Sequence, residues 1–319
     1  MPIVVNSNAS ATSASYNLSK ANNSLRNSLA RLSSGNKINS PADDAGGLAV
    51  AYKLNSKLNR TSAIIQNAQN GLSYLQVQDS SLQTAGKIVD RMSELRTMAQ
   101  DITKNTGDIE NYSKEFIELQ SQLNQVSKEK FNGISLFANS SATVAGTLET
   151  GTASFSSVAY TTFHRTLITH ESGVSTSGSI QLNVINFQFM LSIGTLSSGA
   201  AAGTAIDLGN VNGSNSGTGT NAGFVSDITE VNVSQFTNII ERIADMRAEN
   251  GAEQNRVLNS IDLLQSNMTN LEAAHGRIMD TDIALESTRF ARHNVLVQAS
   301  AAMTAQANQL TNVALQLLG

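Results

Sequence analysis

The sequence contains no cysteine and no tryptophan, and proline occurs only 2 times in 319 residues. Without cysteine, the chain has no disulfide, no thiol nucleophile and no thiolate metal ligand. Aromatic residues make up 5% of the chain, which is little for one thick globular core. This composition favours long helices that pack lengthwise against one another.

Excess charge and long apolar runs are also lacking. The formal net charge is −4 and no basic cluster stands out, so neither nucleic acid nor an anionic membrane is an expected partner. No apolar run is long enough to span a bilayer. Residues 1–15 carry no Lys or Arg before an apolar segment, so we expect no cleaved signal peptide. Any extracellular destination would then require another export route.

The histidines lack the spacing of a metal or catalytic site. His170 and Glu171 begin the His-Glu-x-x-His pattern of zinc proteases, but the position of the second histidine is occupied by Val174. His275 stands alone on a predicted helix, without a second ligand at binding distance along the chain. We therefore expect no enzymatic activity, no metal and no cofactor.

The longest amphipathic pattern begins at Phe236. Apolar residues recur mostly by threes and fours on one face: Phe236, Ile239, Ile243, Met246, Val257, Ile261, Leu264, Met268, Leu271 and Ile278. The pattern predicts a helix roughly 65 Å long. Asn250, Glu253 and His275 lie on the same face, where polar residues usually fix the register of packed helices.

Both ends of the chain carry a shorter stripe of similar period. The N-terminal stripe is Ala11, Ala14, Leu18, Ala21, Leu25, Leu29 and Leu32, and the C-terminal stripe is Leu296, Ala299, Met303, Ala307, Leu310, Ala314 and Leu317. The two predicted helices can pair with each other, but a pair this thin leaves apolar surface uncovered. We therefore expect self-assembly, with folding completed by neighbouring copies.

A break in the pattern follows the first stripe. Gly35 suits the left-handed residue that ends a helix. Ser40 is the predicted N-cap of the second helix, and Pro41 is its first residue. Asp43 and Asp44 favour the positive end of that helix. Because no His or third acid is nearby, a helix start is a better interpretation of this acidic pair than a metal site.

Two further helices are predicted before the middle of the chain. The first runs from Pro41 to Thr103, and a turn at residues 105–108 separates it from a second, which ends before Phe131. Together with the helix from Phe236 they predict an antiparallel bundle. The predicted fold class is mainly α: a long antiparallel helical bundle or coiled-coil rod formed by the N- and C-terminal regions, with a small β-rich inserted domain.

The predicted insert, residues 139–226, is rich in Ser, Thr, Gly and Ala. Ile180, Leu182 and Val184 alternate as in a strand. Four apolar residues then alternate in the opposite phase, which predicts a bulge or a second strand: Phe187, Phe189, Leu191 and Ile193. Residues 211–223 are predicted to form a flexible loop.

Six segments resemble the terminal signatures of bacterial flagellins, in the same order. They are LSSGNKINSPADDAGGLAV (Leu32 to Val50), DRMSELRTMAQ (Asp90 to Gln100), FNGISLF (Phe131 to Phe137), QNRVLNSI (Gln254 to Ile261), GRIMDTDIALES (Gly276 to Ser287) and QASAAMTAQANQL (Gln298 to Leu310). The insert carries no such resemblance. Its Ser and Thr residues are compatible either with O-glycosylation, as in many flagellins, or with a bare polar surface.

The resemblance implies a structural subunit of an extracellular helical filament, the propeller for swimming. It also implies export through the flagellar type III apparatus with a chaperone, and assembly beside filament cap and hook-associated proteins. Residues 1–42 and 280–319 would form an inner coiled coil, residues 43–138 and 227–279 a surrounding helical bundle, and the insert would face solvent. The alternative within this architecture is a hook–filament junction protein.

The resemblance further implies recognition by an animal Toll-like receptor. Aligned through the segment Asp90 to Gln100, the receptor-contact positions of the family fall on Arg91, Leu95 and Glu115. Leu95 also lies on a predicted packing stripe, and in a filament all three positions would meet neighbouring subunits.

Overall fold

The structure is a computed structural model that describes residues 8–138, 149–155, 158–174, 176, 178–193, 206–207 and 228–318. The helices are α1 (Ala9–Ser34), α2 (Ala45–Ala99), α3 (Thr106–Ser127), α4 (Phe187–Leu191), α5 (Val233–Met279) and α6 (Ile283–Leu318), with a 3-10 turn at Ile228–Glu230. The strands are β1 (Lys130–Phe131), β2 (Ile134–Ser135), β3 (Phe137–Ala138), β4 (Glu149–Phe155), β5 (Val158–Ile168), β6 (Ser179–Asn186), β7 (Ser192–Ile193) and β8 (Ile206–Asp207). The predicted fold class, mainly α with a small β region in the middle, is confirmed.

The chain forms two compact units. One comprises Met1–Asn59 and Asn267–Gly319, and the other comprises Arg60–Ser266. Each unit has its own core, described separately below.

The first unit is built on an antiparallel pair, α1 and α6. At one end of the pair, the side-chain amide of Asn8 donates a hydrogen bond of 2.8 Å to the carbonyl of Ala307. At the other end, the amide of Thr281 donates to the carbonyl of Gly35 at 2.9 Å. Residues near the start of α1 thus meet residues near the end of α6, so the two helices run in opposite directions.

Gly35 ends α1 as predicted. Its backbone φ of 72° is left-handed, and its amide donates to the carbonyl of Arg31 at 2.9 Å. A residue with a side chain is strained in this conformation, whereas glycine adopts it freely.

The predicted start of α2 at Pro41, with Ser40 as its N-cap, is wrong. Pro41 lies in a turn in which one carboxylate oxygen of Asp43 accepts the amide of Ser40 at 3.0 Å. The helix begins at Ala45, and Asp44 caps it by accepting the amide of Gly47 at 2.8 Å. The two acids therefore have separate roles: Asp43 stabilises the turn and Asp44 stabilises the helix end.

The second unit has a core formed by α2, α3 and α5. The α5 helix has 47 residues and is about 70 Å long. Its buried face confirms the predicted seam from Phe236 to Leu264 and includes Asn250. The ring of Phe236 packs edge-to-face on the ring of Phe116 in α3, with 6.2 Å between their centroids, and both side chains are fully buried.

Short turns join these helices to the sheet. The predicted turn at residues 105–108 is the first turn of α3, in which Asn105 and Asp108 each accept the other's backbone amide. After α3, strands β1 and β2 form a hairpin through Asn132 and Gly133, whose φ angles are 50° and 79°. Two positive φ angles in a two-residue loop define a type I′ turn, for which Asn-Gly is the preferred sequence.

A four-stranded sheet with the order β3-β6-β5-β4 belongs to the second unit. Strand β3 pairs with β6 in parallel, and β5 pairs with both β6 and β4 in antiparallel orientation. The strand predicted at residues 180–184 is confirmed by β6. The loop predicted at residues 211–223 lies outside the described residues.

The bulge or second strand predicted from Phe187 to Ile193 is wrong up to Leu191, because residues 187–191 form the short helix α4, and a strand, β7, begins only at Ser192. Asn186 ends the strand and caps the helix by accepting the amide of Phe189 at 3.1 Å. The apolar side chains of α4 at Phe187, Phe189, Met190 and Leu191 are all buried. Four of the five residues of this one-turn helix are apolar and buried, so its sequence shows no 3.6-residue period that would distinguish it from a strand.

Candidate assembly surface and receptor-contact residues

The face of α1 that is turned toward α6 follows strict steps of three and four. Its buried or partly buried positions include Ala11, Ala14, Leu18, Ala21, Leu25, Ser28 and Leu32. Leu29, which was predicted in this seam, is 56% exposed, and Ser28, which is 4% exposed, takes its place. If the steps of three and four that begin at Ala11 are followed without regard to polarity, Ser28 is the seam position that comes after Leu25.

The α6 helix presents a different face to α1 than the stripe predicted. Its buried or partly buried positions are Glu286, Phe290, His293, Val297, Ser300, Thr304 and Ala307. Leu296 is 45% exposed and Met303 is 67% exposed, so the predicted inward position of these two residues is wrong. Leu310 and Leu317 lie on the last part of α6, where the structure describes the backbone alone.

The terminal helices therefore leave several large apolar side chains uncovered within one chain. The exposed group on these two helices comprises Tyr16, Leu29, Ile283, Leu285, Val295, Leu296 and Met303. Several exposed large apolar side chains on one pair of helices indicate a surface that a partner can cover. Within the chain the pair is closed by apolar residues such as Leu25 and Val297 together with small and polar ones, while the exposed apolar residues are available to neighbours.

A polar cluster lies in the seam where α1 faces the start of α6. The Glu286 side chain is nearly inaccessible to solvent and accepts a hydrogen bond of 3.2 Å from the guanidinium of Arg289. Burial acts to raise the pKa of Glu286, but the Ser28 hydroxyl and the cations Arg289 and Arg31 outweigh it, so this pKa is lowered. The buried carboxylate is therefore held in its charged form.

The predicted receptor-contact residues lie where α2 and α3 pack together. The Arg91 guanidinium pairs with the Glu115 carboxylate at 2.8 Å and with Glu94 at 3.1 Å, and all three side chains are partly exposed. The hydrogen bonds that Arg91 donates to Glu115 and Glu94 raise the pKa of Arg91. Leu95 is 0% exposed, so it packs in the core and is not accessible to a partner of this folded chain.

The described residues contain no cluster of three or more metal-ligating side chains from His, Cys, Asp or Glu. His170 and Glu171 lie in the turn after β5, where His170 Nδ1 is 2.9 Å from the Ser172 hydroxyl. This turn geometry does not place two histidines one helical turn apart, as the zinc protease pattern requires. Across the described ranges, no helix combines the length and apolarity needed to cross a bilayer.

Comparison with known proteins gives matches at both ends of the chain. The bacterial flagellin N-terminal helical region matches residues 5–142, and the bacterial flagellin C-terminal helical region matches residues 233–318. The flagellar filament 33 kDa core protein of Treponema phagedenis is 31% identical over 319 residues, which covers 99% of this chain and 100% of that protein. The chain belongs to the bacterial flagellin family.

Other flagellins match over a similar span. The flagellin of Bacillus subtilis is 30% identical over 323 residues, covering 98% of this chain and 99% of that protein. The crystal structure of Bacillus cereus flagellin is 20% identical, with a TM-score of 0.41, and the match covers 66% of this chain and 94% of that one. This flagellin is a structural filament subunit, and the junction-protein alternative is not favoured.

Proposed function

We propose that this flagellin polymerises into the extracellular flagellar filament through the outer faces of α1 and α6. The observation that carries the proposal is the exposure of Leu29, Leu296 and Met303 on helices whose mutual seam is already closed. Burial of such side chains between copies supplies the driving force for association. The filament so formed serves as the propeller for swimming.

Five segments describe the proposed subunit. Residues 1–42 and 280–319 form the inner coiled coil, residues 43–138 and 227–279 form the helical bundle around it, and residues 139–226 face solvent. Two of these boundaries, after residue 42 and after residue 279, fall in the breaks before α2 and before α6. The compact units of the single chain divide instead inside α2 and α5, at Asn59 and Asn267.

The filament function requires further partners, which we propose from the family. The chain would leave the cell through the flagellar type III export apparatus with its chaperone, without a cleaved signal peptide. It would then be added beneath the filament cap, next to hook-associated proteins. An uncovered apolar surface on the terminal helices explains why such a subunit needs a chaperone before assembly.

Seeded polymerisation tests the assembly proposal. Purified full-length chain is mixed with short filament seeds and followed by negative-stain electron microscopy, beside a variant that lacks both terminal helices. We expect long filaments from the full chain and none from the truncated variant. Filaments from the truncated variant, or stable monomers of the full chain despite seeds, would contradict a polymer built by these helices.

We further propose that the monomer is recognised by an animal Toll-like receptor through Arg91 and Glu115. Both side chains are partly exposed on neighbouring helices and are joined by an ion pair. Leu95, the third predicted position, would support them from the core rather than touch the receptor.

A further inference from the structure

The open edge of β6 is completed by side chains of the two long helices. Among the described residues, β3 pairs with β6 at Ile185 and Asn186 but not at Asn183, whose strand partner, His164 of β5, lies on the opposite side of β6. There the amide of Asn183 donates to both carboxylate oxygens of Glu253 in α5, at 3.1 and 3.0 Å. The carbonyl of Asn183 accepts a hydrogen bond of 3.1 Å from the Gln78 side chain in α2.

The Gln78 amide extends this joint into a chain of hydrogen bonds. It also donates to the carbonyl of Leu136, just before β3, at 2.9 Å. Its oxygen accepts from Asn250 at 2.7 Å, and Asn250 in turn accepts from Gln254 at 2.6 Å. Gln78, Asn183 and Asn250 are buried. We call Asn183 of β6 and Leu136 before β3 the root of the sheet. Polar side chains of α2 and α5 thus hold this root to both helices.

Glu253 is the one member of this joint that can gain or lose a charge. A carboxylate has about four acceptor sites. Among the described residues, its hydrogen bonds come from the single amide of Asn183. An ionised and partly buried carboxylate with so few donors is costly, whereas the protonated form has less charge to satisfy.

The charged and titratable groups around Glu253 do not reverse this balance. On α5 itself, Glu249 repels the carboxylate and Arg256 attracts it. From α2, Tyr74 faces the site, and burial raises the pKa of its hydroxyl, so Tyr74 stays neutral. Arg165 of β5 interacts with Tyr74. Burial raises the pKa of Glu253 to about 7, although the amide of Asn183 opposes the shift.

We propose that Glu253 and Asn183 form a proton-dependent clamp that fixes the root of the sheet to α5, firm when the carboxyl group is protonated and loose when it ionises. This inference concerns the attachment of the sheet within one chain and is independent of the proposed polymerisation. The function of the clamp is to change how firmly the insert is held as the pH of the medium around the filament changes.

The direction of the pH dependence follows from linkage. The pKa of Glu253 is about 7 with the clamp closed, against an ordinary value of 4.5. A raised pKa favours the closed form fully below the ordinary value, and the advantage is lost as the pH rises through the raised value. The opening equilibrium should therefore increase up to about tenfold per pH unit between these limits and level off above them.

Hydrogen exchange of the full-length monomer tests the clamp. Exchange is followed by mass spectrometry from pH 5 to pH 8.5, after normalisation for the intrinsic pH dependence of amide exchange. We expect protection of residues 180–186 to fall on the order of 100-fold and to reach a plateau near neutral pH. A reference segment in the buried part of α3, residues 116–126, should keep constant protection, which separates local opening from global unfolding.

Two variants test whether Glu253 is the group whose ionisation opens the clamp. Glu253→Gln keeps the acceptor for the Asn183 amide but cannot ionise, so its protection should stay at the acid level at every pH. Glu249→Gln removes a repelling neighbour, so the wild-type transition should shift to lower pH. Constant wild-type protection across the range, an unmoved transition in Glu249→Gln, or an unchanged pH slope in Glu253→Gln would each overturn the proposal.

Discussion

Asn250 of α5 donates a hydrogen bond of 2.7 Å to the side-chain oxygen of Gln78 in α2, and both side chains are buried. The bond joins the two longest helices across the core of the second unit. An apolar residue could pack at several positions along such a seam, whereas an amide is satisfied only opposite its partner. The pair therefore fixes the register in which α2 and α5 pack.

Removal of one member of this pair should lower the free energy of unfolding, and removal of both should lower it by less than the two single changes added together. Asn250→Ala leaves the Gln78 oxygen and the Gln254 amide without their partner, so we expect a loss of about 1–3 kcal/mol in the free energy of unfolding. The double variant Gln78→Leu with Asn250→Leu replaces both groups by apolar ones and should lose less than the two single leucine variants added together. Urea unfolding of all variants measures the coupling, and simple additivity would exclude a register role.

Neighbouring glycines at the start of α2 should respond in opposite ways to alanine. At Gly46, an added Cβ would lie 3.6 Å from Asp44, an ordinary contact, so Gly46→Ala should stabilise the helix by about 0.5–1 kcal/mol. At Gly47 the same atom would lie 2.9 Å from the Asp44 carboxyl carbon and 3.0 Å from Ile38.

Gly47→Ala should therefore displace the Asp44 cap and cost about 1 kcal/mol despite the high helix propensity of alanine. Thermal unfolding of the two variants under identical conditions gives the comparison. Equal stabilisation of both would show that the cap adapts without loss.

The sequence predicted the long elements of this fold well because their patterns are long and regular. The seam of α5 repeats over many turns, so an isolated Asn250 does not hide it. The predictions failed where one short polar side chain decides the local structure: Asp44 rather than Ser40 caps α2, and Asn186 converts the end of a strand into the helix α4. Several capping residues compete within a few positions, and periodicity does not choose among them.

The predicted stripe on α6 failed for a different reason. Leu296 and Met303 continue the heptad-like apolar spacing of their region, so an interpretation based on hydrophobicity places them inward. The folded chain instead turns Glu286, Val297 and Ser300 toward α1. In the proposed filament, neighbouring copies cover the exposed apolar side chains of α6, so these residues do not form part of the core of a single chain.

A charged residue on the outer stripe of α6 should block assembly without unfolding the subunit. Met303→Asp places a carboxylate on a side chain that is 67% exposed in the monomer, so helix content should stay unchanged. In the proposed filament the same carboxylate would be buried against a neighbour, which is strongly unfavourable. Seeded polymerisation followed by light scattering should show no growth.

The matched control for this variant is Gln298→Asp, which introduces the same charge at an exposed polar position of α6 outside the apolar stripe. Growth in the control with none in Met303→Asp supports the assigned surface. Equal loss in both variants would show that added charge alone stops polymerisation.

The Arg91–Glu115 ion pair allows receptor contact to be separated from structure. Because both side chains are partly exposed, Arg91→Ala should leave the melting temperature almost unchanged. The double variant Arg91→Glu with Glu115→Arg restores an ion pair with its charges exchanged.

If the receptor contacts these side chains directly, both variants should fail to activate it in reporter cells that express the animal receptor. Full activation by Arg91→Ala would exclude the contact. Activation restored by the exchanged pair would show that only the ion pair matters, through its effect on the helices.

Acid should loosen the terminal pair, in the direction opposite to the effect of pH on the Glu253 clamp. The pKa of Glu286 is lowered in the folded chain because the Ser28 hydroxyl and nearby cations outweigh its burial. A lowered pKa gives stability that is present above the ordinary pKa and is lost as the pH falls through the lowered one. Hydrogen exchange of residues 284–300 should therefore accelerate, relative to intrinsic rates, between pH 5 and pH 3, whereas Glu286→Gln should show no such change.

The pKa of Asp43 is also lowered, by the amides of Ser40 and Asn39, so Asp43→Asn serves as the control. This variant should affect the turn before α2 and leave the acid response of α6 in place. An acid response of α6 that persists in Glu286→Gln would assign the sensitivity to another carboxylate and would remove Glu286 as the charge that holds the seam.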